Sequence, residues 1–435
     1  MTPVSPRAAA ASQQRRNAAS HHEGVTKLTG CTDRDRTSLR GVRVVDFSSF
    51  VAGPYCTRLL ADLGAEVIKV EAHVGDVYRG GRPIRDGRSA YFGELNAGKR
   101  SVALDLHQPA GRDAARELIA TADVVVENFR PSVMRRHELD YETVSESKPA
   151  IVYCSVSGYG QFGPGSDRPA TAQAVHAVSG YDFAFMDYQG QAQQPPATGL
   201  FVADALAGAL AFGAVLSALR TSERTGVGGW VDLSLHESLL SMLLYEVQAA
   251  QFPQGFVRKG YPPVPARDGF VMIAIVNDRH FQQAMKLIGR PELMTDERFA
   301  TATGRWRYLT ELYDLLGEWA ATRPADEIVA AALAAGIPSA RYRRVEEQFD
   351  DPQLESRGTF ATARDGSGRF QIVDTPFQVH RPPGVTGCEP DPERWVAELG
   401  EHTREVLAAT IGAGRARELI DRGIALHNPG APARD

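Results

Sequence analysis

Short apolar runs alternate with longer amphipathic stretches along the chain from Gly41 onward. The apolar runs are rich in Val and Ile, which is typical of buried strands. They are VRVVDF (42–47), AEVIKVE (65–71), SVALDL (101–106), VVVENF (124–129) and IVYCSVSGYG (151–160). Helical stretches such as YCTRLLADLG (55–64) and GRDAARELIATA (111–122) lie between them. Because strands that alternate with helices of this length form parallel sheets, we predict an α/β fold with a doubly wound sheet.

The carboxyl ends of the predicted strands are where a ligand is expected to bind in such a sheet. The segments that follow the strands are Ser48 to Pro54, Glu71 to Arg82, Leu104 to His107, Asn128 to Arg136, and Ser157 to Arg168. The first of them reads SSFVAGP and contains no G-x-G-x-x-G pattern. The sequence therefore gives no support for an ordinary NAD-type phosphate loop.

Composition narrows the class of protein. The chain has 435 residues, of which 43% are hydrophobic and 23% charged, and its net charge is −5. This is typical of a soluble globular protein with more than one core, and it gives no support for nucleic acid as a partner. The four cysteines form no C-x-x-C pair. We therefore expect a reducing, cytoplasmic location and no zinc site or disulfide framework.

One apolar run, Ala205 to Leu219, is preceded directly by Asp204. The run is shorter than the ~20 residues of a membrane span, so we predict a buried helix and no membrane contact. A carboxylate beside so much apolar sequence requires an explanation. Asp204 could cap the helix, belong to a salt bridge, or carry out chemistry, and the local sequence leaves these three readings open.

The later part of the chain predicts a second, smaller unit. VDLSLHESLLSMLLYEVQAAQF (231–252) predicts a strand that runs into a long helix, and prolines, glycines and basic residues then indicate a linker. The predicted organisation is a disordered extension over 1–38, a large domain over 39–250, a linker over 251–267, a small α+β domain over 268–345, and a return linker with a C-terminal helix on the large domain over 346–430.

The order of these segments resembles the family III coenzyme A transferases, whose relatives include α-methylacyl-CoA racemase. The resemblance covers the chain from Arg40 to about Ile424. The matching pieces are GVRVVDFSSFVAGPYCTRLLADLGAEVIKVE (41–71), GDVYRGG (75–81), NAGKRSVALDL (96–106), ADVVVENFRPSVM (122–134), SVSGYGQFGP (155–164), VADALAG (202–208), TGVGGWVDLSLHESLL (225–240) and LGEHTREVL (399–407).

The resemblance implies both an architecture and a reaction. The large domain would be Rossmann-like, joined by long linkers to the small domain, and two chains would interlock as a homodimer. The substrates would be an acyl-CoA and a small carboxylic acid, with no metal or redox cofactor. Asp204 matches the family nucleophile, which carries the acyl group and then CoA as covalent derivatives.

The resemblance also implies residues that contact CoA. They are Val51, Ala52, Leu104, His107, Asn128, Phe129, Arg136 and Arg168. Each has a plainer alternative: Val51 and Ala52 as a helix-start turn, His107 as a solvent-exposed histidine, and Arg135 as the phosphate-binding residue in place of Arg136.

Two departures from the family pattern bear on the reaction. Racemases carry a His-Asp pair shortly after the GYG loop, where this chain has ATAQAV (170–175), and His176 stands at a different spacing. The run of glycines that formyl-CoA transferases use as a lid is replaced by VRKGYPPVP (257–265). We therefore expect a CoA-transferase, with intramolecular transfer included. A racemase or epimerase and a non-catalytic acyl-CoA binding protein are the alternatives. The sequence leaves open the donor, the acceptor, an acidic helper for Asp204 and the role of the N-terminal extension.

Overall fold

The computed structural model describes residues 38–189, 193–253, 259–379 and 393–428. The predicted N-terminal extension lies outside these ranges except for its last residue. Part of the predicted linker over 251–267 also lies outside them, as do Cys31 and Cys388. Cys56 and Cys154 are described, and both are buried free thiols.

Strands occur where the apolar runs predict them, with more strands later in the chain. Within the described residues they are β1 Arg43–Asp46, β2 Glu66–Glu71, β3 Ile84–Arg85, β4 Arg88–Ser89, β5 Arg100–Leu104, β6 Val124–Glu127, β7 Val152–Ser157, β8 Gly229–Ser234, β9 Val264–Ala266, β10 Gly269–Ile273, β11 Ser339–Arg341, β12 Phe360–Asp365, β13 Gly368–Val373, β14 Arg394–Trp395 and β15 Ala425–Leu426.

Helices fill the intervals between the strands. In the described ranges they are α1 Ala52–Asp62, α2 Ala90–Asn96, α3 Pro109–Ala120, α4 Ser132–Arg136, α5 Tyr141–Ser147, α6 Ala172–Val178, α7 Tyr181–Gln189, α8 Val202–Thr225, α9 Leu235–Met242, α10 Leu244–Gln251, α11 Asp278–Leu287, α12 Ala302–Arg307, α13 Leu309–Ala320, α14 Ala325–Ala334, α15 Pro352–Ser356, α16 Thr403–Ile411 and α17 Ala413–Asp421. The single long helix predicted after β8 is instead two helices that break at Leu243.

The main sheet has the strand order β15-β5-β2-β1-β6-β7-β8. Its strands pair in parallel, except that β15 is antiparallel to β5. The α/β fold with a large, mainly parallel sheet is thus confirmed. Chain order runs one way from β1 to β5 and the other way from β6 to β8, so the strand order reverses between β1 and β6. Ligands of open α/β sheets bind in the crevice beside such a reversal.

The sheet is buried because its strands carry apolar side chains on both faces. Val45, Ile68 and Val125 lie on three neighbouring strands and share one core cluster with helices α3 and α16. Fully burying a side chain of this size contributes about 2 kcal/mol. The apolar runs that predict the strands therefore also supply the core that holds the strand ends in place.

The described chain divides into two compact units. The first comprises the described residues up to Pro169, Asp204–Ser234, and those from Gly358 onward; the second comprises Ala170–Ala203 and Leu235–Arg357. These bounds differ from the predicted domains, which assigned 170–203 and 235–250 to the large domain and ended the small domain at 345. The second unit has its own antiparallel sheet, β11-β10-β9, and its own apolar core with helices α11, α13 and α14.

Helix α8 is longer than the apolar run that predicts it. It has 24 residues and a mean hydropathy of 1.9, so length and composition alone would let it cross a membrane. The prediction of a helix too short to span is therefore wrong on length. A core helix of a soluble protein passes the same test of length and composition. Ala203, Ala207, Ala211 and Val215 of α8 are fully buried, but only 39% of the most apolar stretch of the helix is buried.

Candidate active site

Asn128 links the two loops at the strand reversal. It follows β6, and its side-chain oxygen accepts a hydrogen bond from the Ser49 N–H at 2.8 Å. Its side-chain amide donates to the Ser49 carbonyl at 2.7 Å. Both polar groups of the Asn128 side chain are thus engaged by the loop after β1. Asn128, predicted as a CoA contact, therefore also fixes the loop that carries two other predicted contacts.

The loop after β1 is tightly built where α1 begins. Phe50 has a φ of 65°, a conformation uncommon for a residue with a side chain. A Cβ on Gly53 would lie 2.2 Å from the Cβ of Ser48, so only glycine fits there. Val51 and Ala52 are buried at the start of α1. Contacts of these two residues with a ligand would therefore be made mainly by their backbone.

Buried charged side chains fix the conformation of this loop. The Asp46 carboxylate at the end of β1 accepts hydrogen bonds from Thr57 at 2.7 Å and from the Lys99 ammonium at 3.1 Å. Burial by itself would raise the pKa of Asp46, but the charges of Lys99 and Lys69 and two hydroxyl hydrogen bonds lower it to about 2. Lys69 donates to the Ser48 carbonyl at 2.6 Å. Paired buried charges of this kind hold a geometry, because removing one partner leaves the other unpaired in a dry site.

Lys69 also helps to position three aromatic rings beside the loop after β1. Lys69 also pairs with Asp76 at 3.0 Å, and Asp76 accepts the N–H of Tyr78 at the start of a short 3₁₀ helix. The Tyr78 ring lies 5.8 Å from the ring of Phe50 and 4.7 Å from that of Tyr91, edge-on in both cases. Sequence reasoning did not single out Tyr78 or Tyr91, because nothing in their local sequence indicates that they come together.

Helix α8 places Asp204 next to this loop. The helix begins at Val202, so Asp204 lies inside the first turn and is not a terminal cap. One turn further on, a Cβ on Gly208 would lie 2.6 Å from the Ala52 carbonyl oxygen and 3.1 Å from the Tyr55 ring. Glycine at 208 therefore lets α8 lie directly against the start of α1. This close contact brings the turn that holds Asp204 to the loop after β1.

The Asp204 carboxylate is largely desolvated. Its Oδ2 atom is buried and has no hydrogen-bond partner in the described chain. Burial raises the pKa of Asp204 from 3.8 to about 6, although a backbone hydrogen bond opposes this. Burial, the neighbouring phenol of Tyr78 and the charge of Asp204 raise the pKa of Tyr91 to about 12, and burial and Asp204 also raise the pKa of Tyr78. Asp204 is thus ionised at neutral pH and faces two tyrosines that remain protonated.

A basic cluster lies at the next strand ends. The imidazole of His107, after β5, lies 5.7 Å from that of His137, directly after α4. Burial and the neighbouring side chains of His107, Arg112 and Arg136 lower the pKa of His137. Arg136 is exposed and has no ion-pair partner among the described residues. The structure thus brings together His107 and Arg136, which were predicted separately, and adds Arg112 and His137, which sequence reasoning missed. An arginine and imidazoles in one place fit a phosphate ligand.

The remaining predicted contacts lie elsewhere on these strand ends. Leu104 is buried in the main core at the end of β5, and Phe129 packs partly buried against the same core. Arg168 is exposed on the loop after β7, where its N–H donates to the Gly165 carbonyl. Arg135, the alternative to Arg136, is also exposed and lies 3.7 Å from Glu142. Among the described residues, no hydrogen bond or ion pair joins Arg168 to the basic cluster.

The segment that replaces the racemase His-Asp pair is helical. Ala172 is buried at the start of α6 and carries no group that can move a proton. His176 is fully buried, and its Nε2 accepts the N–H of Ala203, the residue before Asp204, at 3.2 Å. Burial lowers the pKa of His176, which keeps the ring neutral and able to accept this hydrogen bond. Over the described residues, no group of three or more His, Cys, Asp or Glu side chains is arranged to hold a metal ion.

Comparison with known proteins gives one consistent family. The sequence profile of CoA-transferase family III matches residues 39–403. The succinate–glutarate CoA-transferase of Agrobacterium fabrum is 32% identical and aligns over 85% of this chain and 95% of its own. The succinyl-CoA–D-citramalate CoA-transferase of Chloroflexus aurantiacus is also 32% identical, over 88% and 96%. The crystal structure of a CAIB/BAIF family protein from Brucella suis matches with a TM-score of 0.73 at 31% identity, over 86% and 99%.

Proposed function

This chain belongs to CoA-transferase family III, and we propose that it moves CoA from an acyl-CoA to a carboxylic acid through covalent intermediates on Asp204. One observation carries the proposal. The Asp204 carboxylate is buried without a partner beside the loop at the strand reversal, where a ligand of the sheet is expected. A carboxylate held without solvation or ion pairing is a stronger nucleophile than one in water.

The proposed reaction has four steps. The Asp204 carboxylate attacks the thioester carbonyl, and the carbon–sulfur bond breaks to give a mixed aspartyl anhydride and the CoA thiolate. The thiolate attacks the aspartyl carbonyl and releases the donor acid, which leaves with an oxygen that belonged to Asp204. The acceptor carboxylate then attacks the carbonyl of the aspartyl-CoA thioester, and the carbon–sulfur bond breaks to give a second anhydride and the CoA thiolate. The thiolate finally attacks the acceptor carbonyl, which regenerates the Asp204 carboxylate and yields the new acyl-CoA.

The surrounding residues have distinct roles in this scheme. The protonated phenols of Tyr78 and Tyr91 are hydrogen-bond donors for the oxyanion that forms at each attack, and their rings limit the access of water to the anhydride. The backbone of Val51 and Ala52 contacts CoA near its thioester end. His107, Arg136 and His137 bind the phosphates, which fixes the position of the thioester relative to Asp204.

The relatives indicate where to look for substrates. Two of them are named for succinate or succinyl-CoA together with a second dicarboxylic acid. We therefore infer that this chain transfers CoA between short dicarboxylic acids. Intramolecular transfer between two carboxylates of a single diacid follows the same steps. We also propose that the protein is cytoplasmic and acts as an interlocked homodimer, for which size-exclusion chromatography with light scattering is the direct test.

A substrate screen tests the proposal. The full-length protein is incubated with succinyl-CoA and a panel of acids, including glutarate, and new acyl-CoAs are quantified by mass spectrometry. Asp204→Ala should abolish transfer to every acceptor, whereas Asp421→Asn, an exposed carboxylate on α17, should leave the rate unchanged. Transfer by Asp204→Ala at the normal rate would disprove the role of Asp204. Exchange of the α-proton of an acyl-CoA without transfer would favour a racemase.

A further inference from the structure

A pocket on the first unit lies beside the loop after β6, and its lining includes Arg135, the alternative to Arg136. It has a volume of about 210 Å³ and lies between the ends of β6 and β7, helices α4 and α5, and the loop after β7. None of the eight predicted CoA contacts lines it. The proposed mechanism uses none of the side chains that do line it.

The floor of this pocket is a carboxyl group. Glu127 is only 3% exposed, and its Oε2 accepts the Phe129 N–H at 2.8 Å. The Ser155 hydroxyl also hydrogen-bonds to the carboxyl group and in turn accepts the indole N–H of Trp230 at 3.0 Å. Burial, together with the charge of Asp232, raises the pKa of Glu127 to about 7. The ionised form of a buried carboxyl group is stabilised most by a ligand that carries a positive charge.

One wall of the pocket is aromatic. The rings of Tyr141 and Trp230 are stacked, with centroids 5.6 Å apart and planes at 16°. Tyr153, whose ring meets that of Tyr141 edge-on, completes the wall. Aromatic faces beside a desolvated carboxyl group form a favourable environment for an organic cation.

The rim of the pocket and one buried amide further specify the chemistry of the ligand. Asp140, Glu142 and Asp167 also line the pocket, and Arg135 is the single basic residue of the described lining. The amide nitrogen of Gln161 is buried and has no hydrogen-bond partner within the described residues. A buried donor without a partner is costly, and an oxygen atom of a ligand would satisfy it. The lining thus offers sites for a positive charge and for a hydrogen-bond acceptor.

We propose that this pocket binds a small organic ammonium ion that also carries an oxygen acceptor. The ammonium group contacts the Glu127 carboxylate and the aromatic wall, and the oxygen accepts from the Gln161 amide. The lining of this site includes neither Asp204 nor any of the eight predicted CoA contacts. The titratable groups Asp232, Tyr153 and Cys154 act on Glu127 and supply no positive charge, and Arg135 on α4 is the positive group of the described pocket lining.

Ethanolamine is the probe, and ethylamine, which lacks the hydroxyl group, is its matched control. Binding to the full-length protein at pH 8 is followed by tryptophan fluorescence, to which Trp230 in the pocket wall contributes, and by calorimetry at constant ionic strength. We expect saturable ethanolamine binding with a Kd of about 1 mM or tighter, a limit set by the few atoms of the ligand. Ethylamine should bind about 5-fold more weakly, because the Gln161 amide then stays unsatisfied.

Glu127→Gln should weaken ethanolamine binding about 10-fold or more. The change keeps the side-chain shape and an oxygen that can accept the Phe129 N–H. Glu146→Gln, on the exposed face of α5, is the control and should bind as the wild type does. Gln161→Leu should bind ethanolamine and ethylamine equally. Lowering the pH from 8 to 6 should weaken the binding of ethanolamine to the wild type, because Glu127 becomes protonated.

Absence of saturable binding by a folded wild-type protein would overturn the proposal. An unchanged affinity in Glu127→Gln, with circular dichroism confirming its fold, would do the same. Equal affinities of the wild type for ethanolamine and ethylamine would refute the role of Gln161. Displacement of ethanolamine by CoA would place the ligand in the CoA site and also contradict the proposal.

Discussion

Replacing Asp204 with asparagine should stabilise the protein while it removes activity. The pKa of Asp204 is raised from 3.8 to about 6 by burial. Above pH 6 the carboxylate is ionised in both the folded and the unfolded chain, but only the folded state places the charge in a dry site. The difference corresponds to about 3 kcal/mol of stability lost by the wild type at high pH. Asparagine has nearly the same shape and carries no charge, so the Asp204→Asn variant avoids this cost.

The sign of the effect depends on pH. A group whose folded pKa is raised binds more protons in the folded state, so the wild type loses stability as pH rises from about 4 to 6. We therefore expect Asp204→Asn to be more stable by up to about 3 kcal/mol at pH 8 and by about half of that at pH 5. Urea unfolding of both proteins, followed by fluorescence at pH 5, 6 and 8, gives their free energies of unfolding from the midpoints and slopes.

Asp421→Asn is the matched control, because Asp421 is exposed on α17 of the same unit. Its unfolding midpoint should stay within about 0.5 kcal/mol of the wild type at each pH. If Asp204→Asn were no more stable than the wild type at pH 8, or if its advantage did not change with pH, Asp204 would not be a desolvated carboxylate. The physical basis for its nucleophilicity would then be wrong.

Three further predictions concern how the site is built. Gly208→Ala should lower CoA-transfer activity and stability, because its Cβ would lie 2.6 Å from a backbone oxygen. Gly213→Ala, on the same helix, is the control: its Cβ meets nothing within 4 Å, so the change should be neutral or stabilising by about 1 kcal/mol. Thermal unfolding and transfer-rate assays distinguish the two variants. Arg136→Ala should raise the KM for acyl-CoA about 10-fold and weaken its dependence on salt, and Arg135→Ala should have a smaller effect. Asn128→Ala removes both hydrogen bonds to the loop after β1. The affinity for acyl-CoA, measured by calorimetry, should therefore fall by about 5-fold or more. An unchanged affinity would mean that the loop does not need these hydrogen bonds.

The fold could largely be predicted from the sequence, because strands buried on both faces leave a strong apolar signal. The apolar runs over 42–47, 65–71 and 124–129 each contain a strand of the main sheet. The limits of the two units could not be predicted in the same way. Residues 170–203 belong to the second unit although residues 204–234 belong to the first, and this assignment depends on contacts with distant parts of the chain.

The candidate site was predictable in outline and less so in detail. Because strand ends meet at one edge of a parallel sheet, the sequence could place His107 and Arg136 on the same edge. It could not indicate that the Asn128 side chain would bind Ser49, which is 79 residues away. Tyr78 lies in the matching segment GDVYRGG, but nothing in the local sequence indicates that Tyr78, Tyr91 and His137 belong to the site, so only the folded chain brings them there. The position of Asp204 within the first turn of α8 also differs from a simple cap, because the helix starts two residues earlier.

The most direct test of the account is the fate of the carboxylate oxygens of the acceptor acid. In the proposed reaction, the acceptor gives an oxygen to the second anhydride, and that oxygen stays on Asp204 when the new acyl-CoA leaves. With an acceptor labelled by oxygen-18, mass spectrometry of the peptide that contains Asp204 should therefore find the label in the Asp204 side chain after turnover. Formation of the new acyl-CoA without any label on Asp204 would contradict covalent catalysis by this residue.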